Sequence, residues 1–281
     1  MKKNIKSLIA AILTVSALTL TGCGSQGDAP AAEENTIVKV GVVGEYNAQW
    51  DTINELLADD HITVELVKYT DYAAPNRALA DGDIDLNAFQ HKAFLANDIE
   101  KMGYDICDIG DTLIAPLAIF NNKDKISKVE EIQDGDIIAI PSDLTNGGRA
   151  LKLLEAAGLI VCDPAKGYVP TKADITAYNV DIELLESDSA NLANLLPDCA
   201  AAIINGGNAY TAGLNPAEDA IFLENVDPAV NEGVAQLVNV IACRTEDADN
   251  EVYQKVADAY HTEAVRETIE TAYQGAFLCA W

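Results

Sequence analysis

The segment 141-PSDLTNGGRA-150 joins an apolar run, IIAI (137–140), to LKLLEAAGL (151–159), whose apolar residues recur with helical period. Thr145 and Asn146 are good helix caps; two glycines follow, then Arg149. The spacing places Arg149 in the first turn of a helix, an end that already carries partial positive charge. A solvent-facing arginine is the plain reading. The chemical one is anion capture, since a guanidinium fork matches a planar carboxylate and the free N–H groups of a helix start add to it. Asn205 ends a second apolar run, CAAAIIN (199–205), where a side-chain amide needs a partner.

Catalytic signatures are missing from the sequence. It has no GxxxxGK[ST] phosphate loop, no GxSxG elbow, no GxGxxG opening and no HExxH. GGRALK (147–152) has glycines and a lysine at the wrong spacing. His61 and His261 stand in acidic, helix-edge settings, and the six cysteines at 23, 107, 162, 199, 243 and 279 form no CxxC. No metal or cofactor is expected. A carboxylate pair assembled in space stays open as an enzyme reading.

The elements that position these loops alternate. TIVKVGVVG (36–44), ITVELVKYT (62–70) and IDLNAF (84–89) read as strands separated by helical stretches, followed by a helix near 91–102, a strand near 105–109 and a long apolar strand, LIAPLAIFNN (113–122). The alternation restarts with IIAIP, the helix after it, a short helix at 173–179, and strands at 182–187, 199–206 and 220–225. VAQLVNVIACR (234–244) is expected as a strand, before two closing helices near 249–261 and 262–275. Two α/β units joined by two long apolar strands predict a hinged, two-lobed α/β protein. The chemistry-bearing loops 69–76, 87–94, 141–149 and 204–208 all follow predicted strands, where open α/β sheets bind ligands.

The first residues stand apart. MKKNIK is basic, SLIAAILTVSALTL is an apolar run short for a membrane span, and TGC follows. This is a secretory signal, and Leu20-Thr21-Gly22-Cys23 resembles the lipobox of bacterial lipoproteins, which implies cleavage before Cys23 and a diacylglycerol on its sulfur. Residues 24–36, GSQGDAPAAEENT, read as a flexible tether. The chain has 18 basic against 45 acidic residues, and three of the basic ones lie in the signal, so processing moves the balance from −27 to −30. That charge excludes nucleic acid and anionic headgroups as partners, and leaves the lipid as the membrane link. Export permits disulfides, but five cysteines remain besides Cys23 and nothing marks a pair; Cys199 and Cys243 read as small core residues.

From about residue 37 to the end, the chain resembles the methionine-binding lipoproteins, the NlpA-type substrate-binding proteins of ABC importers. YTDYAAPNRALADGDIDLNAFQHKAFL (69–95), IAIPSDLTNGGRALKLLEAAGLI (138–160) and AAIINGGNAYTAGLNP (201–216) are similar to that family's blocks. The resemblance implies a type-II periplasmic-binding-protein fold with two crossover strands. One lobe is expected at 36–117 with 228–281, the other at 118–227. It further implies an amino-acid cleft in which Arg149 takes the ligand carboxylate and Asn205 and Asn239 bond its carboxylate or amino end. Tyr72, Phe89, His91 and Phe94 wall the side chain, and Asn76 and Asn146 support the loops. The implied function is capture of a free amino acid, methionine above all, for an importer's permease by a monomer. Another amino acid or a methionine-containing dipeptide is the alternative. Phe94, Ala93, Gly207 and Ser142 depart from the family's usual tyrosine, proline, asparagine and asparagine, and the loop 44-GEYNAQW-50 also differs, so that Trp50 or Tyr46 could reach the cleft.

Cys23→Ala is expected to leave the folded domain intact but unlipidated, because one acyl chain anchors marginally and two are needed. Detergent-phase partitioning of both forms checks this; equal membrane retention places the anchor elsewhere.

Overall fold

Thr36–Val43 (β1) carries Val38, Val40 and Val42 on one buried face, the period-2 pattern of a strand. Ala48–Leu57 (α1) buries Trp50, Ile53 and Leu57, spaced three and four apart. Then follow Ile62–Tyr69 (β2), Pro75–Asp81 (α2), Leu86–His91 (β3), Lys92–Met102 (α3) and Ile106–Asp111 (β4). Leu113–Ile114 (β5), Leu117–Asn121 (β6), Ile137–Pro141 (β7) and Leu144–Ala156 (α4) lead to Ile160–Cys162 (β8), Ile175–Tyr178 (β9) and Glu183–Ser187 (β10). Leu192–Leu195 (α5), Ala201–Asn205 (β11), Gly206–Thr211 (α6), Pro216–Asp219 (α7) and Phe222–Leu223 (β12) come next. Val234–Leu237 (α8), Asn239–Arg244 (β13), Glu251–Tyr260 (α9), Glu263–Tyr273 (α10) and Leu278–Cys279 (β14) close the chain. This computed structural model describes residues 35–167, 169–229, 231 and 233–281. The signal, Cys23 and the tether to residue 34 lie outside the described residues.

Two five-stranded sheets share one topology. The first has the order β2-β1-β3-β13-β4 and the second β10-β7-β11-β6-β12. In each, three strands run parallel and the fourth in the row is antiparallel to both its neighbours: β13 between β3 and β4, β6 between β11 and β12. The expected two-lobed α/β architecture is present, and each sheet has its own apolar cores. Among the described residues, no helix is long and apolar enough to cross a membrane.

Three sequence expectations change. The run 113–122 is two strands, β5 and β6, because Pro116 lacks the N–H a continuous ladder needs; β5 pairs with β14 instead. The run 234–244 opens as the short helix α8, and only from Asn239 does it enter the sheet. In the run 173–179, expected as a helix, only a 3-10 turn at Lys172–Asp174 is helical and Ile175–Tyr178 form the strand β9, paired with β8; the β-branched Ile175 and Thr176 suit that pairing.

Trp50 does not reach the cleft. It is 1% exposed and packs edge-on against Tyr260, with ring centroids 5.6 Å apart, because its place on α1 faces the sheet. Trp50→Ala is therefore expected to cost about 3–5 kcal/mol of stability through the cavity it leaves. Ligand affinity of the folded fraction should hold. Urea midpoints and titration calorimetry separate the two effects; lost affinity at unchanged stability would return Trp50 to the site.

Candidate functional site

The carboxyl ends of parallel strands from both sheets converge on a small cavity, the place where open α/β sheets bind ligands. Its walls come from the loop after β1 (Tyr46), the loop after β2 (Tyr72), β3 and the start of α3 (Phe89, Gln90, His91, Phe94), Ala115 between β5 and β6, α4 (Asn146, Arg149), the end of β11 with α6 (Asn205, Gly207), and Asn239 at the start of β13. The structure thus brings together eight of the residues singled out from sequence: Arg149, Asn205, Asn239, Tyr72, Phe89, His91, Phe94 and Asn146.

Asn146 sits at the centre. Its Oδ1 accepts from Asn205 Nδ2 at 2.8 Å, from His91 Nε2 at 3.3 Å and from Arg149 Nη1 at 3.4 Å. Its Nδ2 donates to both oxygens of Asp143, at 3.1 and 3.0 Å. Acceptors on one side and donors on the other leave the carboxamide a single orientation. His91 has a single tautomer for the same reason. Its Nδ1 accepts from the Phe94 backbone N–H at 3.1 Å, capping α3, so the proton resides on Nε2 and points at Asn146. Burial first, and then the Arg149 charge, pushes the imidazole from 6.5 down to about 3.

The helix start differs from its sequence reading. Asp143 is the cap of α4, and its carboxylate already accepts from the Asn146 backbone N–H at 2.9 Å and from Thr145 Oγ1 at 3.0 Å. Arg149 is the sixth residue of α4, in its second turn rather than its first. A helix end occupied by an aspartate offers an anion little. The guanidinium itself is buried, and its Nε–Nη2 edge is forked on Glu224, with Nε 3.1 Å from Oε1 and Nη2 2.5 Å from Oε2. Glu224 Oε2 also accepts from the Leu117 backbone N–H at 2.9 Å. Among the described residues, Nη1 is left with only its long contact to Asn146. Sequence reasoning missed Glu224. It ends the apolar run AIFLEN, and nothing local ties it to a residue 75 positions away.

Two polar groups on this wall lack what they need. Asn205 Oδ1 is buried and accepts no hydrogen bond among the described residues, and Arg149 Nη1 is under-used. Opposite them lies an apolar corner: the rings of Tyr72, Phe89 and Phe94 pack with centroids 5.9–6.0 Å apart. Tyr46 is the loop residue that reaches the cavity, and burial raises its hydroxyl to about 12. Its ring needs Gly207: a Cβ there would lie 2.9 Å from Tyr46 Cζ and closer still to Cε1. Asn76 does not line the cavity. It is fully buried behind it, donating to Gln90 Oε1 at 2.7 Å and to Asp98 at 2.9 Å, and accepting from Asn87 at 3.0 Å. This network holds Gln90, a wall residue.

A profile of the NlpA lipoprotein family matches residues 38–281. The chain belongs to the NlpA lipoprotein family. Its curated NlpA-type relatives include the probable D-methionine-binding lipoprotein of Vibrio cholerae, 37% identical over 283 residues that cover 100% of both chains. Among solved structures, the substrate-binding protein of a methionine transporter from Streptococcus pneumoniae matches with TM-score 0.81 and 35% identity, over 89% of this chain and 97% of that one. A nutrient-binding protein from Burkholderia cenocepacia bound to methionine matches with TM-score 0.80 and 31% identity, over 87% of this chain and 100% of that one.

The buried imidazole of this NlpA-family protein predicts a pH effect. Below pH 6.5 the unfolded chain takes up a proton that folded His91 refuses until about pH 3. The stability held by this site is therefore complete above pH 6.5 and drains as pH falls toward 3; by pH 5 the loss is about 2 kcal/mol. His91→Gln removes this component, so the stability gap between wild type and variant is expected to shrink by that amount from pH 7 to pH 5. Urea unfolding at both pH values measures it, and a constant gap would overturn the assignment.

Proposed function

We propose that the protein is an extracytoplasmic binding protein that captures a free amino acid, methionine above all, and hands it to the permease of an ABC importer. One observation carries the reading. Arg149 Nη1 and Asn205 Nδ2 both donate to Asn146 Oδ1 in one cavity, which places a buried cationic donor near the buried, unsatisfied Asn205 Oδ1. A zwitterion satisfies both: its α-carboxylate meets Nη1 and its α-ammonium meets Oδ1. Because Glu224 already balances the Arg149 charge, the site gains most from a ligand that brings both signs. Asn239 lines the same wall and adds a further amide to the ligand's main-chain end.

The three-ring corner takes the side chain. A thioether is polarizable and packs favourably at ring edges, and the relatives named for methionine support that choice. The family is one of binding lipoproteins, and ligand capture without chemistry is the corresponding activity. The proposed lobes are 36–117 with 228–281, and 118–227, closing on the ligand as a monomer. Cys23 carries the lipid that holds the protein at the outer side of the cell membrane.

Titration calorimetry of ligand-stripped protein tests the reading. Methionine is expected to bind one to one and unchanged, ahead of leucine, glutamine and Gly-Met. Arg149→Ala removes the cation and strands Glu224, which costs roughly 2–5 kcal/mol, or about thirty- to several-thousand-fold in affinity. Arg149→Lys restores part, lacking the planar fork. Binding by Arg149→Ala within a few-fold of wild type, in a variant that melts normally, would remove Arg149 from the site.

A further inference from the structure

Cys107 and Cys243 lie directly opposite each other on the antiparallel strands β4 and β13. Their sulfurs are 3.9 Å apart, and no disulfide joins them. Opposed residues of an antiparallel pair have Cα atoms about 4.5–5.5 Å apart, inside the span that a disulfide bridges without moving the backbone. Rotation of the two side chains is enough to close the gap. We propose that Cys107 and Cys243 are a modification site, forming a reversible cross-strand disulfide by exchange with a small-molecule or protein disulfide.

The two thiols have different roles. Cys107 is half-buried and can be reached from solvent, whereas Cys243 is fully buried. Burial, with the Cys107 sulfur beside it, raises the Cys243 thiol to about 12, which makes it a poor first nucleophile. Cys107 therefore loses its proton and attacks the external disulfide, forming a mixed disulfide and expelling one thiolate. Cys243 then gives up its proton and attacks the Cys107 sulfur, expelling the second thiolate. Two cysteine thiols are oxidised, one external disulfide is reduced to two thiols, and the two protons pass to them. Among the described residues no other pair of cysteine sulfurs is in contact.

The link would fasten β13 at the end remote from Asn239, beyond the irregular register between Ile241 and Ala242. It closes a loop of 136 positions, and a loop that long restricts the unfolded chain strongly. Its occurrence in the cell rests on export; its formation in solution does not.

The test uses purified full-length protein, reduced, freed of reductant and incubated with oxidised glutathione. Mass mapping of unreduced digests is expected to find the Cys107 peptide joined to the Cys243 peptide. The thermal midpoint is expected to rise by an amount on the order of 10 °C and to fall back with reductant. Cys107→Ala should lose both effects while still binding methionine. A glutathione adduct that persists on Cys107, a link to another cysteine, or no link at all would overturn the proposal, and the mapping of the wild type decides this even if the variant fails to fold.

Discussion

One carboxamide oxygen organises the site. Asn146 Oδ1 receives donors from β3 in one sheet and from α4 and β11 in the other, so His91, Arg149 and Asn205 are positioned through a common point. The opposing Asp143 carboxylate fixes the amide that supplies it. In a buried setting each of these bonds is strengthened by the low local dielectric, and any unpaired member is costly. The contact between His91 and Asn146 also crosses between the lobes. The same interaction thus shapes the cavity and ties the two sheets together.

Electrostatics follow from that arrangement. The chain is strongly acidic, yet its cavity is close to balanced: Arg149 faces Glu224, His91 is neutral, and Asp143 is committed to a helix cap. A lone anion would have to compete with Glu224 for the guanidinium, and a lone cation would meet neutral amides and tyrosines in the lining. A molecule with adjacent opposite charges fits without stranding either. In the proposed reading the aromatic corner takes the other end of that molecule.

Much of this was legible in the sequence because it rests on local pattern. Strand–helix alternation gave two α/β units, and loops after strands held seven of the eight wall residues, whose roles, with that of Asn239, the resemblance to the NlpA family implied. What escaped depends on distant partners. Glu224 is an ordinary acid at a strand end until the fold sets it against Arg149. Asp143 outcompeted Thr145 and Asn146 as the cap, since all three are good cap residues and spacing alone does not choose among them. Trp50 looked available to the cleft, but α1 turns it into the core. Tyr46 takes the cavity position, which a side chain at 207 would obstruct.

The sheet orders carry a consequence for how the protein is built. The second sheet draws all its strands from one continuous stretch, Leu117 to Leu223. The first cannot be completed until β13 arrives and inserts between β3 and β4, some 150 positions after β3. Pairings so distant in sequence are slow to form, and chains that emerge N-terminus first fold the contiguous unit earlier. The sheet that begins with β1 is therefore the last to finish, and its open β3 and β4 edges wait for the strand that also brings Asn239 to the cavity.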